Sequence, residues 1–213
     1  MQKRNTNRVN VYLDDEYAFG LSRIVAAWLY IGQELSDEKI TELKTDDSYE
    51  VAYQQAINFL SYRARSQTEV INHLKKHDID DEIIERVMQR LQSSELVNDE
   101  RFVRNWIENR NEFRPRGQRA LAFELRQKGI PEDVIRTNLN ELDEEQLAYT
   151  AAQKQAKKYI ALQWPDFRKK MYSFLARRGF SYEVSVPVVA RVWQEYLNEN
   201  GVEPYSTDQE VNL

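Results

Sequence analysis

No cysteine occurs in the 213 residues, which excludes a disulfide framework and every cysteine-ligated zinc or iron–sulfur site. Glycine and proline are scarce, six and five residues, beside 31% charged residues. So few breakers with so many solvated side chains predict long helices and disfavour an all-β fold. Long apolar runs are missing too. The longest, Ile24 to Ile31, is far short of the roughly 20 residues a membrane span needs. The polar opening MQKRNTNRVN has no signal-peptide core, so a soluble cytoplasmic protein, away from membranes, is expected. Phosphate loops of the GxGxxG and GxxxxGK[ST] types are absent.

What is present is a core and a sign pattern. Apolar residues make up 41% of the chain, enough for one or two domains. The net charge of -5 hides segregation: residues 78 to 100 hold eight acids against Arg86 and Arg90, whereas 154 to 178 hold eight bases against Asp166.

The chain also repeats itself. Val70, Leu74, Ile79, Ile83, Met88 and Leu91 recur 51 residues later as Leu121, Leu125, Ile130, Val134, Leu139 and Leu142. They recur again, after a further 50, as Met171, Leu175, Phe180, Val184, Val189 and Val192. In each copy a helix with an i, i+4 stripe ends near Asp78, Gly129 or Gly179, and glycine takes the left-handed C-terminal conformation without a Cβ penalty. Asp80, Pro131 and Ser181 then open a second helix, and a further helical stretch precedes each pair. Pro187 implies either a kink in the last helix or a late start capped by Ser185. Ahead of the repeats, Val9, Val11, Leu13 and Tyr17, Phe19, Leu21 alternate around Asp14-Asp15-Glu16 as a β-hairpin. Two short helices follow, the second capped by Ser36. The expected fold is therefore all-α: three tandem three-helix repeats (48–98, 99–147, 148–200) in an elongated, curved array. An N-terminal hairpin and helix element (1–47) precedes them and a frayed tail (201–213) follows.

Catalytic chemistry finds little support. His73 and His77 share a helix face, but the intervening Leu-Lys-Lys lacks a glutamate and repels a cation, so they read as solvated histidines and no metal is expected. Asp14-Asp15, Asp46-Asp47 and Asp80-Asp81 sit at presumed turns and caps, and no serine has an evident base. Neither catalysis nor a cofactor is expected.

The arginines stand out. Arg63 and Arg65, advanced by 51, fall on Arg114 and Arg116 within RNEFRPRGQR (Arg110 to Arg119). Arg126 lies just beyond. The third copy is basic in the same region, at Lys169 and Lys170, with Arg177 and Arg178 following. Two explanations stand. The charges are a solvated face with i, i+4 partners such as Glu108 and Glu112, or they project as one basic stripe toward acidic or phosphate groups. Tyr62, Phe113, Trp164 and Phe167 beside them could stack on bases or lid the core, while Trp28, Trp106 and Trp193 read as packing.

These residues carry a family resemblance. Leu60, Arg63, Arg65 and Ser66 form L-x-x-R-x-R-S, and Leu96 to Phe102 form L-x-N-D-E-x-F. Gly117, Leu121, Glu124, Leu125, Lys128, Gly129 and Ile130 form G-x-x-x-L-x-x-E-L-x-x-K-G-I. Over residues 48 to 195 the chain resembles RecX, the bacterial regulator of the RecA recombinase. It departs from that pattern at His77-Asp78-Ile79, Asn98-Asp99 and Phe174-Leu175, and the hairpin lies outside the matching region. The resemblance implies a non-enzymatic inhibitor that binds the RecA filament on single-stranded DNA, limits its growth or promotes its disassembly, and so restrains recombination and the SOS response. The partner expected is the RecA filament, with single-stranded DNA contacted directly or through it, by a monomer. The alternative is a helical-repeat single-strand binder acting without RecA, stacking bases on Tyr62, Phe113 and Phe167. The contact residues expected are Arg63, Arg65, Arg110, Arg114, Arg116, Arg119, Arg126, Lys169, Lys170, Arg177 and Arg178.

Overall fold

Each expected helix pair turns on one residue with positive φ. A computed structural model, describing residues 7–159 and 161–199, places Asp78 at φ 55°, Gly129 at 71° and Gly179 at 87°. Just past each turn, Ile79, Ile130 and Phe180 donate backbone bonds to Leu74, Leu125 and Leu175, the six-to-one closure that satisfies orphan carbonyls at a helix end. The first copy achieves with aspartate what the others achieve with glycine. Aspartate is among the few non-glycine residues that enter this region.

The chain divides after Asn98 into two compact units. In the first, β1 (Arg8–Leu13) pairs antiparallel with β2 (Glu16–Ser22), and α1 (Arg23–Ala26), α2 (Asp37–Ser61), α3 (Gln67–Lys75) and α4 (Asp81–Ser93) follow. In the second are α5 (Asp99–Phe113), α6 (Gln118–Gln127), α7 (Glu132–Asn140), α8 (Glu144–Ala156), α9 (Trp164–Arg177) and α10 (Tyr182–Glu199). Three three-helix modules result: α2 to α4, α5 to α7 and α8 to α10. The tail expected to fray, 201–213, lies outside the described residues.

The hairpin turns on Asp14 and Asp15, φ 48° and 68°, a two-residue loop whose positive φ angles match the twist of the paired strands. Val9 faces Leu21 and Val11 faces Phe19, as the alternation predicts. The two helical stretches expected on either side of residue 47 are one helix, α2, because the polar segment between them contains no glycine or proline. Asp47 is accordingly no turn residue. Buried on α2, it accepts from Arg8 Nη2 (2.7 Å) and the Ser22 backbone N–H (2.6 Å), fastening both ends of the hairpin to the helix. Where Pro187 left a kink or a late start open, α10 starts at Tyr182 and runs through the proline, with Ser181, not Ser185, accepting from the Val184 N–H at 3.2 Å.

Each module has its own apolar cluster, built on the repeat anchors. Val70, Leu74, Val87 and Leu91 have no exposed surface in the first module, Leu121 and Leu125 none in the second, and Met171, Leu175 and Val189 none in the third. Modules two and three meet at Gly117, whose N–H donates to Arg178 O at 2.9 Å. A methyl group there would strike the carbonyl of Gly179 and sit 2.5 Å from Phe180 N.

Candidate interaction surface

Between Arg114 and Lys128 the only acid is Glu124, and the second module's charge is arranged around it. One oxygen of Glu124, on α6, accepts from the Trp106 indole Nε1 (2.8 Å) and from Arg110 Nε (2.9 Å), both on α5. The other lies 3.0 Å from Arg116 Nη1. The Trp106 ring carries Arg110 at 4.4 Å and Lys128 at 5.5 Å. Trp106 is thus a polar-tipped platform as well as packing. Glu124 and Trp106 were not among the expected contact residues; the lone acid in a basic stretch was the available signal.

Arg178 enters the same neighbourhood from module three. Its Nη1 donates to Pro115 O at 3.1 Å and its guanidinium lies 4.8 Å from the Phe174 ring centre. Burial lowers the pKa of Arg178, and the nearby positive charges of Arg116 and Arg114 act in the same direction. Arg114 is exposed and has no acidic partner among the described residues. With Asn109, Arg110, Phe113 and Arg116 it lines a cavity of about 410 Å³. Phe113, 67% exposed, stands at its edge. Four expected residues, Arg110, Arg114, Arg116 and Arg178, are therefore brought together with one carboxylate among them.

The others are placed differently. Arg119 on α6 and Lys169 and Arg177 on α9 are exposed, with no ion pair among the described residues. Lys170 lies 5.6 Å from the Tyr159 ring. Arg126 is engaged bidentately by Glu132, at 2.8 and 2.6 Å. In the first unit Arg63 is held bidentately by Glu69, the acid of the capping box that Ser66 forms at the start of α3. The aromatic expectations need one correction: Phe167 is 1% exposed, packed against Trp164 and Trp193, so it cannot stack on a base. Tyr62 is 84% exposed.

The positions of Arg110, Arg116 and Glu124, moved back by the repeat offset, are Phe59, Arg65 and His73. The same place in module one is built from rings. Arg65 lies 4.0 Å over Phe59, which stacks on His73 at 4.0 Å and 1° between planes. Arg65 Nε is buried without a hydrogen-bond partner among the described residues, and burial, then Arg63, lowers its pKa. His73 is half-buried and in edge contact with His77; it is not simply solvated. Burial is the main cause of its lowered pKa, with His77, Arg65 and Lys76 adding to it.

A testable result follows for His73. Because its imidazole loses its proton more readily folded than unfolded, the unfolded chain binds more protons below the unfolded value, about 6.5. Stability from this group is present above that pH and is lost as pH falls through the lower folded value. An NMR titration should place the His73 midpoint below that of the same imidazole in urea. Coincident midpoints would remove the effect.

Family models described as the RecX first, second and third three-helix domains match residues 52–91, 98–139 and 143–186. A fourth, the regulatory protein RecX N-terminal domain, matches 1–36. The chain is 33% identical over 207 residues to regulatory protein RecX of Bacillus subtilis (strain 168), covering 95% of this chain and 78% of that one. The chain belongs to the RecX family. A RecX of Lactobacillus gasseri is 32% identical over 210 residues, 95% of this chain and 76% of its own. A crystal structure of a regulatory protein RecX superposes with a TM-score of 0.71 at 28% identity, covering 88% and 94% of the two chains. The hairpin, set outside the resemblance by sequence, falls within the RecX N-terminal domain. Module for module, the three-helix domains of RecX are the repeats that the offsets of 51 and 50 delineate.

Proposed function

We propose that this RecX-family regulatory protein acts on RecA, binding its filament on single-stranded DNA and limiting the filament's extension or stability. Regulation is by binding, without catalysis or a cofactor, by a cytoplasmic monomer whose repeats 48–98, 99–147 and 148–200 serve as docking modules. No described helix is long and apolar enough to cross a membrane. The observation that carries the reading is the gathering of four arginines: Arg110 and Arg116 on Glu124, Arg114 beside them in one cavity lining, and Arg178 within electrostatic reach of Arg114 and Arg116. Guanidinium forks suit carboxylate or phosphate groups on an acidic filament, while the acidic remainder of the chain discourages indiscriminate binding.

The test is RecA ATP hydrolysis on single-stranded DNA with this protein titrated substoichiometrically, and a gel shift of the same DNA without RecA. Inhibition with little shift is expected. Reversing Arg114 and Arg119 to glutamate should raise the inhibitory concentration about tenfold, the effect of removing a strong interface contact. These two are chosen because Arg116 also braces Glu124. Unchanged inhibition by this variant would sink the assignment of the surface. The second reading, a direct single-strand binder, draws support from exposed Phe113 beside Arg114. It predicts a tight, salt-sensitive shift without RecA.

A further inference from the structure

The arginine surface encloses a cavity whose wall is charged with one sign only. Asn109, Arg110, Phe113, Arg114 and Arg116 line its volume of about 410 Å³, and no carboxylate among the described residues does. Glu124 is not part of the wall; one of its oxygens accepts from Arg110 Nε and the other faces Arg116 Nη1. Of the other acids in these elements, Glu144 of α8 accepts from the Gln118 backbone N–H at 2.9 Å. Glu108 and Glu112 are exposed on α5 and do not line the cavity. A guanidinium carries several N–H donors, so Glu124 leaves most of those on Arg110 and Arg116, and all of those on Arg114, without an acidic acceptor among the described residues. A second carboxylate would add only two oxygens. A phosphate adds more in one compact group, with a charge that several guanidiniums can share.

The loop that carries these charges is also the clasp between modules two and three. Arg114, Pro115, Arg116 and Gly117 are consecutive. Pro115 O accepts from Arg178 Nη1 at 3.1 Å and the Gly117 N–H donates to Arg178 O at 2.9 Å, so one residue of module three holds the loop at a carbonyl and at an amide. Pro115 and Gly117 are buried, whereas Arg114 is exposed. The clasp closes against its own charge: burial disfavours the Arg178 guanidinium, and Arg116 and Arg114 repel it. An anion between Arg114 and Arg116 offsets that repulsion. We infer that the Arg110–Arg114–Arg116 cavity binds a phosphate group, and that the bound phosphate tightens the hold of Arg178 on Pro115 and Gly117, coupling occupancy of the site to the union of modules two and three. This rests on the arginine surface of the proposed function, and it names what that surface holds and what binding does to the array. Coupling of this kind is reciprocal. Whatever loosens the clasp also weakens the phosphate.

The experiment uses the full chain with sodium tripolyphosphate, a thymidine oligonucleotide and a polyglutamate peptide as probes. Calorimetry reads binding, and hydrogen exchange of the Gly117 amide reads the clasp. Tripolyphosphate at roughly ten times its Kd should slow Gly117 exchange about tenfold, because opening the clasp then requires release of the ligand. Arg178→Met keeps an apolar stem beside Phe174 but loses the donor to Pro115 O, and should weaken tripolyphosphate about tenfold. Arg177→Met removes an equal charge from the same helix end, at an exposed residue outside the clasp, and should change affinity by about twofold or less. Gly117 exchange in the parent chain tests the coupling however either variant folds. The oligonucleotide separates the sources of phosphate: binding tighter than tripolyphosphate, with the excess lost in Phe113→Ala, assigns a nucleic-acid strand, and binding no tighter assigns a free phosphate compound. No binding of tripolyphosphate, equal binding of polyglutamate, unchanged Gly117 exchange, or equal effects of Arg178→Met and Arg177→Met would each overturn the inference. Failure here is distinct from failure of the RecA reading. If tripolyphosphate does not bind but reversal of Arg114 and Arg119 still abolishes RecA inhibition, this inference falls and the filament surface stands; phosphate binding with a tightened clasp but no RecA inhibition keeps the inference and removes that reading.

Discussion

Gly117→Ala should destabilise the second unit by about 2 to 4 kcal/mol, a marked fall in its urea midpoint. The added methyl meets backbone, the Gly179 carbonyl and Phe180 N, and backbone cannot rotate aside as a side chain can. Overpacking of this kind costs about 1 to 3 kcal/mol, and moving the strands of chain apart also loses the bond from Gly117 N to Arg178 O, about 1 kcal/mol more. Alanine's own conformation is not the obstacle, because Gly117 sits at φ -74°. Gly32→Ala makes the complementary comparison: its φ is +84° but nothing lies within 4 Å of the added carbon, so only the left-handed strain of about 1 to 2 kcal/mol applies. If Gly117→Ala is no worse than Gly32→Ala, modules two and three are not held together by this close approach. Since Arg178 hangs on the same contact through Pro115 O, the variant should also loosen the arginine cluster.

Glu124→Leu is the second large effect, about 1 to 3 kcal/mol of lost stability. Glu124 is the shared acceptor of Trp106, Arg110 and Arg116, so the change strands an indole N–H and removes the ion partner of Arg116, which lies near the positive charge of Arg178. Water reaches both guanidiniums, whose side chains are 30% and 37% exposed, which keeps the loss well below that of a fully buried pair. Glu124→Gln retains an acceptor for the indole but removes the charge, and should fall between the leucine variant and the parent in a urea series. Equal stability of Glu124→Leu and the parent would show that the carboxylate braces nothing. Under the proposed function both variants should also weaken RecA inhibition, because Arg110 and Arg116 would no longer be held.

The modules were legible because their signal is local. Apolar anchors at fixed offsets, with a glycine or aspartate between helices, specify helix pairs whatever surrounds them. The hairpin was legible from alternation and an Asp-Asp turn. What sequence hid depends on contacts between distant residues. Asp47 looks like a turn acid until Arg8 and Ser22 arrive from 39 and 25 residues away. Trp28 looks like core until it stands 89% exposed, covered by no described element, and Phe167 looks like a lid until Trp193 of α10 packs on it. The basic residues were visible as a cluster, but their division into braced ones, such as Arg63, Arg110 and Arg126, and ones with no ion pair among the described residues, such as Arg114 and Arg119, required the positions of Glu69, Glu124 and Glu132.

One correspondence between the modules bears on how such an array can change. Arg110, Arg116 and Glu124 in one copy occupy the places of Phe59, Arg65 and His73 in another, so an ion bridge and a ring stack serve as alternative fillings of the same seat. Only the arginine common to both seats, Arg65 or Arg116, keeps its type. The helix turns and apolar anchors do not register the exchange. A three-helix module can therefore be recoded at its surface, from aromatic to ionic, without renegotiating its core, and tandem copies give one chain several independently writable faces on a single scaffold.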